Sequence, residues 1–154
     1  MKKILIFLFI AITTASLAQN NDLVQEVNYC GRNFDVRNEC PTNSVSELLC
    51  DEYQIQWIYI PDGWLSNVYN NTLAGLEEQL NIIEKKEIKL KSLRKKLSGH
   101  LLTYRTDSGK VKYRIIANGK VKKFSLILNL GLNEEPVNNQ SLPHFVKNIV
   151  ELIE

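Results

Sequence analysis

The sequence predicts an α+β domain: an antiparallel β-sheet with two helices packed on one face, preceded by an irregular N-terminal segment that holds the cysteines. Three observations carry this. Residues 53–60 (YQIQWIYI) alternate and are rich in aromatic and β-branched side chains, as a strand requires. From Trp64 the apolar residues recur at three- and four-residue steps, the period of a helix. Residues 111–130 return to alternation around Asn118-Gly119, a dipeptide suited to a two-residue hairpin turn.

The chain of 154 residues starts with Lys2 and Lys3, an apolar run over residues 4–12, and the small-residue pattern Ser16-Leu17-Ala18. Together these have the form of a secretory signal over residues 1–18, cleaved between Ala18 and Gln19. The apolar run is too short for a transmembrane helix, which needs about 20 residues. No later stretch is comparably apolar, so the mature chain is expected to contain no membrane span and to work in the periplasm or outside the cell. The first cysteine after the cleavage point, Cys30, is too distant to carry a lipid anchor.

The whole chain carries a formal charge of +2. Loss of Lys2 and Lys3 makes the mature chain neutral, with 17 bases against 17 acids. That neutrality divides into two opposed halves. Residues 19–84 hold eleven acids and two bases, whereas residues 85–154 hold fifteen bases and six acids. A neutral total gives no support to a nucleic-acid binder, and export removes that partner.

Cys30, Cys40 and Cys50 remain after processing. In an oxidising compartment one internal disulfide is expected, in any of three pairings, with one thiol left over. A bridge closing ten residues contributes roughly 3 kcal/mol in the loop-entropy view. Spacings of ten do not resemble the short Cys-x-x-Cys clips that grip zinc, so no metal is assigned.

Taken in order, residues 19–43 read as irregular. Ser44-Val45-Ser46-Glu47 has the form of a capping box and opens a short helix through Leu48, Leu49 and Cys50, completing an N-terminal segment over residues 19–52. The α+β domain proper then occupies residues 53–154, starting with the strand at 53–60. Pro61-Asp62-Gly63 breaks that strand, and Asp62 is placed to cap the following helix. Leu65, Val68, Tyr69, Thr72, Leu73, Leu76, Leu80 and Ile83 form its stripe, which predicts a helix ending near Lys86. Residues 87–97 are open to either reading: Leu90 and Leu97 continue the stripe, while Ile88-Lys89-Leu90-Lys91 alternates like a strand. With Asn118-Gly119 as the loop, Ile116 pairs with Val121 and Tyr113 faces Phe124. Val111, Tyr113, Ile115, Phe124, Leu126, Leu128 and Leu130 then share one face. A four-residue loop over residues 106–109 sets Tyr104 and Leu102 on that face, where a three-residue loop would set Arg105 and Thr103. Ser141 caps a last helix with the stripe Phe145, Ile149, Leu152 and Ile153.

The run Gly99-His100-Leu101-Leu102-Thr103-Tyr104-Arg105, the Asn118-Gly119 hairpin and Leu142-Pro143-His144-Phe145 opening a final helix resemble small exported bacterial proteins of unknown function. These in turn resemble the PsbP/Mog1-like α/β/α arrangement. The resemblance spans residues 54–154, rests on element order, and carries over no functional residue. It implies a non-catalytic accessory or partner-binding role.

The two histidines, His100 and His144, stand in no H-E-x-x-H spacing, and no P-loop, G-x-G-x-x-G or G-x-S-x-G motif occurs. A Cys–His nucleophilic pair competes with the expected disulfide. No catalytic residue and no cofactor is therefore assigned. Two features support binding. The first is the basic run at residues 85–96, with Lys89, Lys91, Arg94, Lys95 and Lys96 facing an envelope protein, an anionic envelope polymer, or the chain's own acidic half. The second is the aromatic group Trp57, Tyr59 and Trp64, which exposed is a stacking platform for a glycan or small ligand and buried closes the core. Strand alternation favours the core for Trp57. The leading expectation is a non-catalytic exported interaction or accessory protein, the alternative a glycan- or small-ligand-binding domain.

Overall fold

The computed structural model describes residues 23–42 and 44–153, so the expected signal and its cleavage point at Ala18 and Gln19 lie outside the described residues. Nine strands, β1 (Glu26–Tyr29), β2 (Arg32–Asp35), β3 (Glu47–Leu49), β4 (Tyr53–Tyr59), β5 (Asn81–Ser92), β6 (Lys95–Arg105), β7 (Val111–Val121), β8 (Phe124–Leu132) and β9 (Val150–Leu152), accompany helices α1 (Leu65–Gln79) and α2 (His144–Lys147). Seven strands form one sheet in the order β3-β4-β8-β7-β6-β5-β9, and every pairing is antiparallel. The antiparallel sheet is as expected, but the molecule is richer in sheet and poorer in helix than the sequence suggested. Both edge strands have three residues, and β9 covers only Leu90–Ser92 of β5, so the outer side of β5 before Leu90 has no strand partner among the described residues.

The two helices do not share a face. Along β7, Ile115 and Ala117 face a core that includes Trp57, Leu126, Leu128, Leu130, Phe145 and Val146. Ile116 faces the other way, where it packs with Ile127 and Tyr69 of α1. Helix α2 is a single turn on the first face, and the chain then enters β9, so Leu152 belongs to a strand and not to a helical stripe. Ser141 does not cap α2, whose N-cap is Pro143 with no side-chain cap; Asn138 instead caps the preceding 3-10 turn, its side chain accepting from the Gln140 and Ser141 amides.

Residues 23–52 are not an irregular preface. Val27 and Tyr29 of β1, with Phe34 and Val36, are buried in the main core. Strands β1 and β2 turn through Cys30 and Gly31, both with positive φ (52° and 74°), as a type I′ turn demands. The Cys30 amide donates to Tyr59 Oη at 2.7 Å, and Lys122 Nζ donates to the Cys30 carbonyl at 3.2 Å. Cys40 and Cys50 form a disulfide with 5.4 Å between Cα atoms, leaving Cys30 as the buried free thiol. The expected helix over residues 44–50 is instead strand β3. Glu47 lies opposite Gln56 and accepts from its side chain at 3.2 Å rather than reaching back to Ser44.

Helix α1 ends at Gln79, not near Lys86: Leu80 is already extended and β5 starts at Asn81. Residues 87–97 are therefore strand and turn. Leu93 and Arg94 form the tight turn into β6 with positive φ at both positions. Asn118-Gly119 is not a turn. It lies inside β7, and the chain reverses at Lys122-Lys123, with Val121 opposite Phe124. Gly119 gives Leu97 room, since a Cβ there would sit 2.6 Å from Leu97 Cδ2. The true register pairs Tyr113 with Leu132 and Ile115 with Leu130. The shift is an even number of residues, so each side chain keeps the face that alternation gave it. Between β6 and β7 the loop is the three-residue one, Asp107-Ser108-Gly109, with Gly109 at φ 81°. Arg105 and Thr103 consequently lie opposite Val111 and Tyr113, and Leu102 and Tyr104 turn to the α1 face.

Candidate functional site

Helix α1 crosses its sheet face on the diagonal. At its start Asp62 accepts from Lys120 Nζ of β7 at 2.6 Å and from Ser125 Oγ of β8. At its middle Tyr69 reaches β6 and β7. At its end Glu77 pairs with Lys85 of β5. A diagonal helix leaves two uncovered corners, one over β5 and β6 and one over β4, β8 and the far end of β7.

The first corner holds a cleft of about 560 Å³, lined by Tyr69, Glu87, Lys89, Ser98, His100 and Asn118, with Ile153 at one side. Register explains the convergence: Glu87 lies opposite His100, Lys89 opposite Ser98, and Ser98 opposite Asn118. The Asn118 amide donates to the Ser98 carbonyl at 3.3 Å. Tyr69 is the one buried residue of α1. Its Oη lies 2.8 Å from His100 Nδ1 and also donates to the Ile116 carbonyl at 3.3 Å, with the two rings stacked at 18°. Burial, and then the charge of Glu77, push the Tyr69 phenol up to about 12, so it stays protonated and fixes the imidazole plane. The other ring nitrogen of His100 has no protein partner among the described residues, and His100 lines the cleft.

The basic run separates by face. Lys89, Lys91 and Lys96 alternate onto the cleft side of β5 and β6, Lys95 points to the other side, and Arg94 sits in the turn. Lys91 stands directly opposite Lys96, an arrangement of like charges that costs stability. Glu151 of β9 answers Lys91 at 3.0 Å. Among the described residues Lys89 and Lys96 have no carboxylate within 4 Å. The acidic half of the chain thus does not neutralise this edge. Lys85 pairs with Glu77 and Lys86 with Glu84 at 2.9 Å, both outside the cleft.

The three aromatics do not assemble into one platform. Trp57 is 1% exposed in the core, edge-on to Tyr29, with its indole N–H donating to the Asn28 carbonyl at 3.2 Å. Tyr59 packs on Phe124 and holds the Cys30 turn. Trp64 is the most open of the three, at 65% exposure, and Tyr59 is exposed as well. His144 lies on the opposite face, 3.3 Å from Glu39, remote from His100. No three His, Cys, Asp or Glu side chains come together among the described residues, and no described helix is long and apolar enough to cross a membrane.

Sequence reasoning placed the cations but missed Glu87, Ser98, Asn118 and Tyr69 as their neighbours. The alternation of Lys89 with Lys91 was the available signal, once β5 is known to be a strand. No protein-family model matches the chain, and neither a curated protein nor a solved structure matches it.

Proposed function

We propose that the chain is a non-catalytic, exported interaction protein of the bacterial envelope, and that it binds an anionic envelope polymer in the cleft beside α1. One observation carries the reading. Lys89 and Lys96 stand without carboxylate partners on the cleft side of a rigid sheet, beside a fixed His100 and the side-chain donors of Ser98 and Asn118. Like charges held together at Lys91 and Lys96 cost folding energy, and an incoming polyanion offsets that cost. Glu87 adds an acceptor, which suits a polymer carrying hydroxyl groups as well as negative charge. The Cys40–Cys50 disulfide supports an oxidising compartment, as does the signal-like segment at residues 1–18.

The test is binding of the purified protein to immobilised polygalacturonate, compared with a Lys89→Glu/Lys96→Glu variant. Loss of capture with an unchanged circular dichroism spectrum supports the reading, as does steep weakening with salt. Equal capture by both proteins overturns it. A second reading, neutral-glycan stacking, now rests on Trp64 and the exposed Tyr59, because Trp57 is in the core. Quenching of Trp64 fluorescence by an uncharged glycan, retained in the double variant, would favour it.

A further inference from the structure

The second uncovered corner of the α1 face contains an arginine whose charge no carboxylate among the described residues answers. Arg114 of β7 is partly buried, and among the described residues no carboxylate lies within 4 Å of it. Of its five donors, Nη1–H donates to Asn129 Oδ1 at 3.2 Å, and Nε is buried with no partner at all. A buried donor of a charged group left without a partner is costly unless something compensates it.

The surroundings leave room for that compensation. Arg114 lines a small cavity of about 170 Å³ together with Lys112, Gln54, Tyr104 and Gly131. Lys112 is two residues away on the same strand and so presents its ammonium on the same face. The residue opposite Arg114 on β8 is Gly131, and a Cβ built there would lie 3.5 Å from Arg114 Nη2 and 3.7 Å from Gln54 Cβ. The missing side chain keeps open a slot against the guanidinium. Asp51 also lines the cavity and forms no ion pair with either cation.

We infer that this corner is a second binding site, separate from the Lys89 cleft, that takes a small oxyanion on the fork of Arg114 with Lys112 as the second cation. The volume of about 170 Å³ admits a carboxylate of a few carbons or a phosphate. The planar fork accepts either in bidentate fashion.

The experiment is an NMR titration of the whole mature protein with malonate and, separately, inorganic phosphate, against chloride at equal ionic strength. The readouts are the Arg114 Nε–H signal and the Gly131 amide. A saturable shift with either anion beyond the chloride control supports the site, and the tighter of the two identifies carboxylate or phosphate as the ligand class. Gly131→Ala meets ordinary contact distances at 3.5–3.8 Å and leaves the fold intact. It is expected to weaken the anion at least tenfold by filling the slot, while Lys89→Glu leaves it unchanged. Absence of a saturable shift up to tens of millimolar of both anions overturns the inference, as does a shift that Gly131→Ala leaves untouched.

Discussion

Tyr29 Oη lies 2.7 Å from Ser92 Oγ, and both side chains are buried. The bond joins the N-terminal hairpin to the last residue of β5 across 63 residues of sequence. Desolvation keeps the Tyr29 phenol protonated far above the neutral range, so the pair is a neutral hydrogen bond inside the core. Tyr29→Phe is expected to cost about 1–3 kcal/mol in urea denaturation, because it strands the Ser92 hydroxyl. The double variant with Ser92→Ala is expected to recover part of that loss. A double variant as unstable as the sum of its parts contradicts the coupling.

The cysteines give a second test. Burial pushes the Cys30 thiol up to about 11, leaving little thiolate near neutrality. Folded, unreduced protein is expected to resist iodoacetamide at pH 7.5, a buffer condition chosen about three pH units below that value. Denatured without reductant, it takes one label, at Cys30. Label at Cys40 or Cys50 before reduction, read by peptide mass spectrometry, contradicts the pairing.

Much of the sheet was legible because alternation survives errors of register. Strand β4 was found from residues 53–60, and the faces of β7 and β8 were right although their turn was placed at Asn118-Gly119 instead of Lys122-Lys123. That dipeptide is a strong local turn signal, overridden by tertiary pairing: Asn118 and Gly119 pair with Ile127 and Leu126 of β8, and Asn118 with Ser98 of β6. The N-terminal hairpin was missed because its strands have only four residues, although Val27, Tyr29, Phe34 and Val36 flank Cys30-Gly31 in an alternating pattern. The helix end was misjudged because no Gly or Pro separates Gln79 from Asn81, and Leu80 and Ile83 continue the helical stripe by coincidence. The cleft was not legible: Tyr69 and His100 lie 31 residues apart, and only the diagonal course of α1 brings them together.

Two glycines are expected to respond with opposite signs. A Cβ at Gly99 would lie 2.0 Å from the Ile116 carbonyl oxygen and 2.6 Å from Ala117 Cα, both backbone atoms of β7. Gly99→Ala is expected to cost about 3 kcal/mol or more, since no rotamer relieves that contact. Gly75 in α1 meets open space, and Gly75→Ala is expected to stabilise by about 0.5–1 kcal/mol. Chemical denaturation of both variants checks the pair.

Asp62 predicts an acid-sensitive start to α1. The hydrogen bond from Lys120, and then that from Ser125, hold its carboxyl below the usual range. The folded group titrates below the unfolded one, so its contribution is complete above about pH 4 and fades as pH falls through the folded value. The Trp64 indole resonance is expected to move in that acid window in the native protein. In Asp62→Asn the movement is expected to disappear.

The central claim is that the corner between α1, β5 and β6 is the binding face. The direct measurement is an amide NMR titration of the mature protein with oligogalacturonate at fixed ionic strength. Saturable shifts grouped at Glu87, Lys89, Lys96, Ser98, His100 and Asn118, and absent from the opposite face around His144, are the expected result. Shifts scattered over every surface lysine, or centred on Trp64, would contradict it.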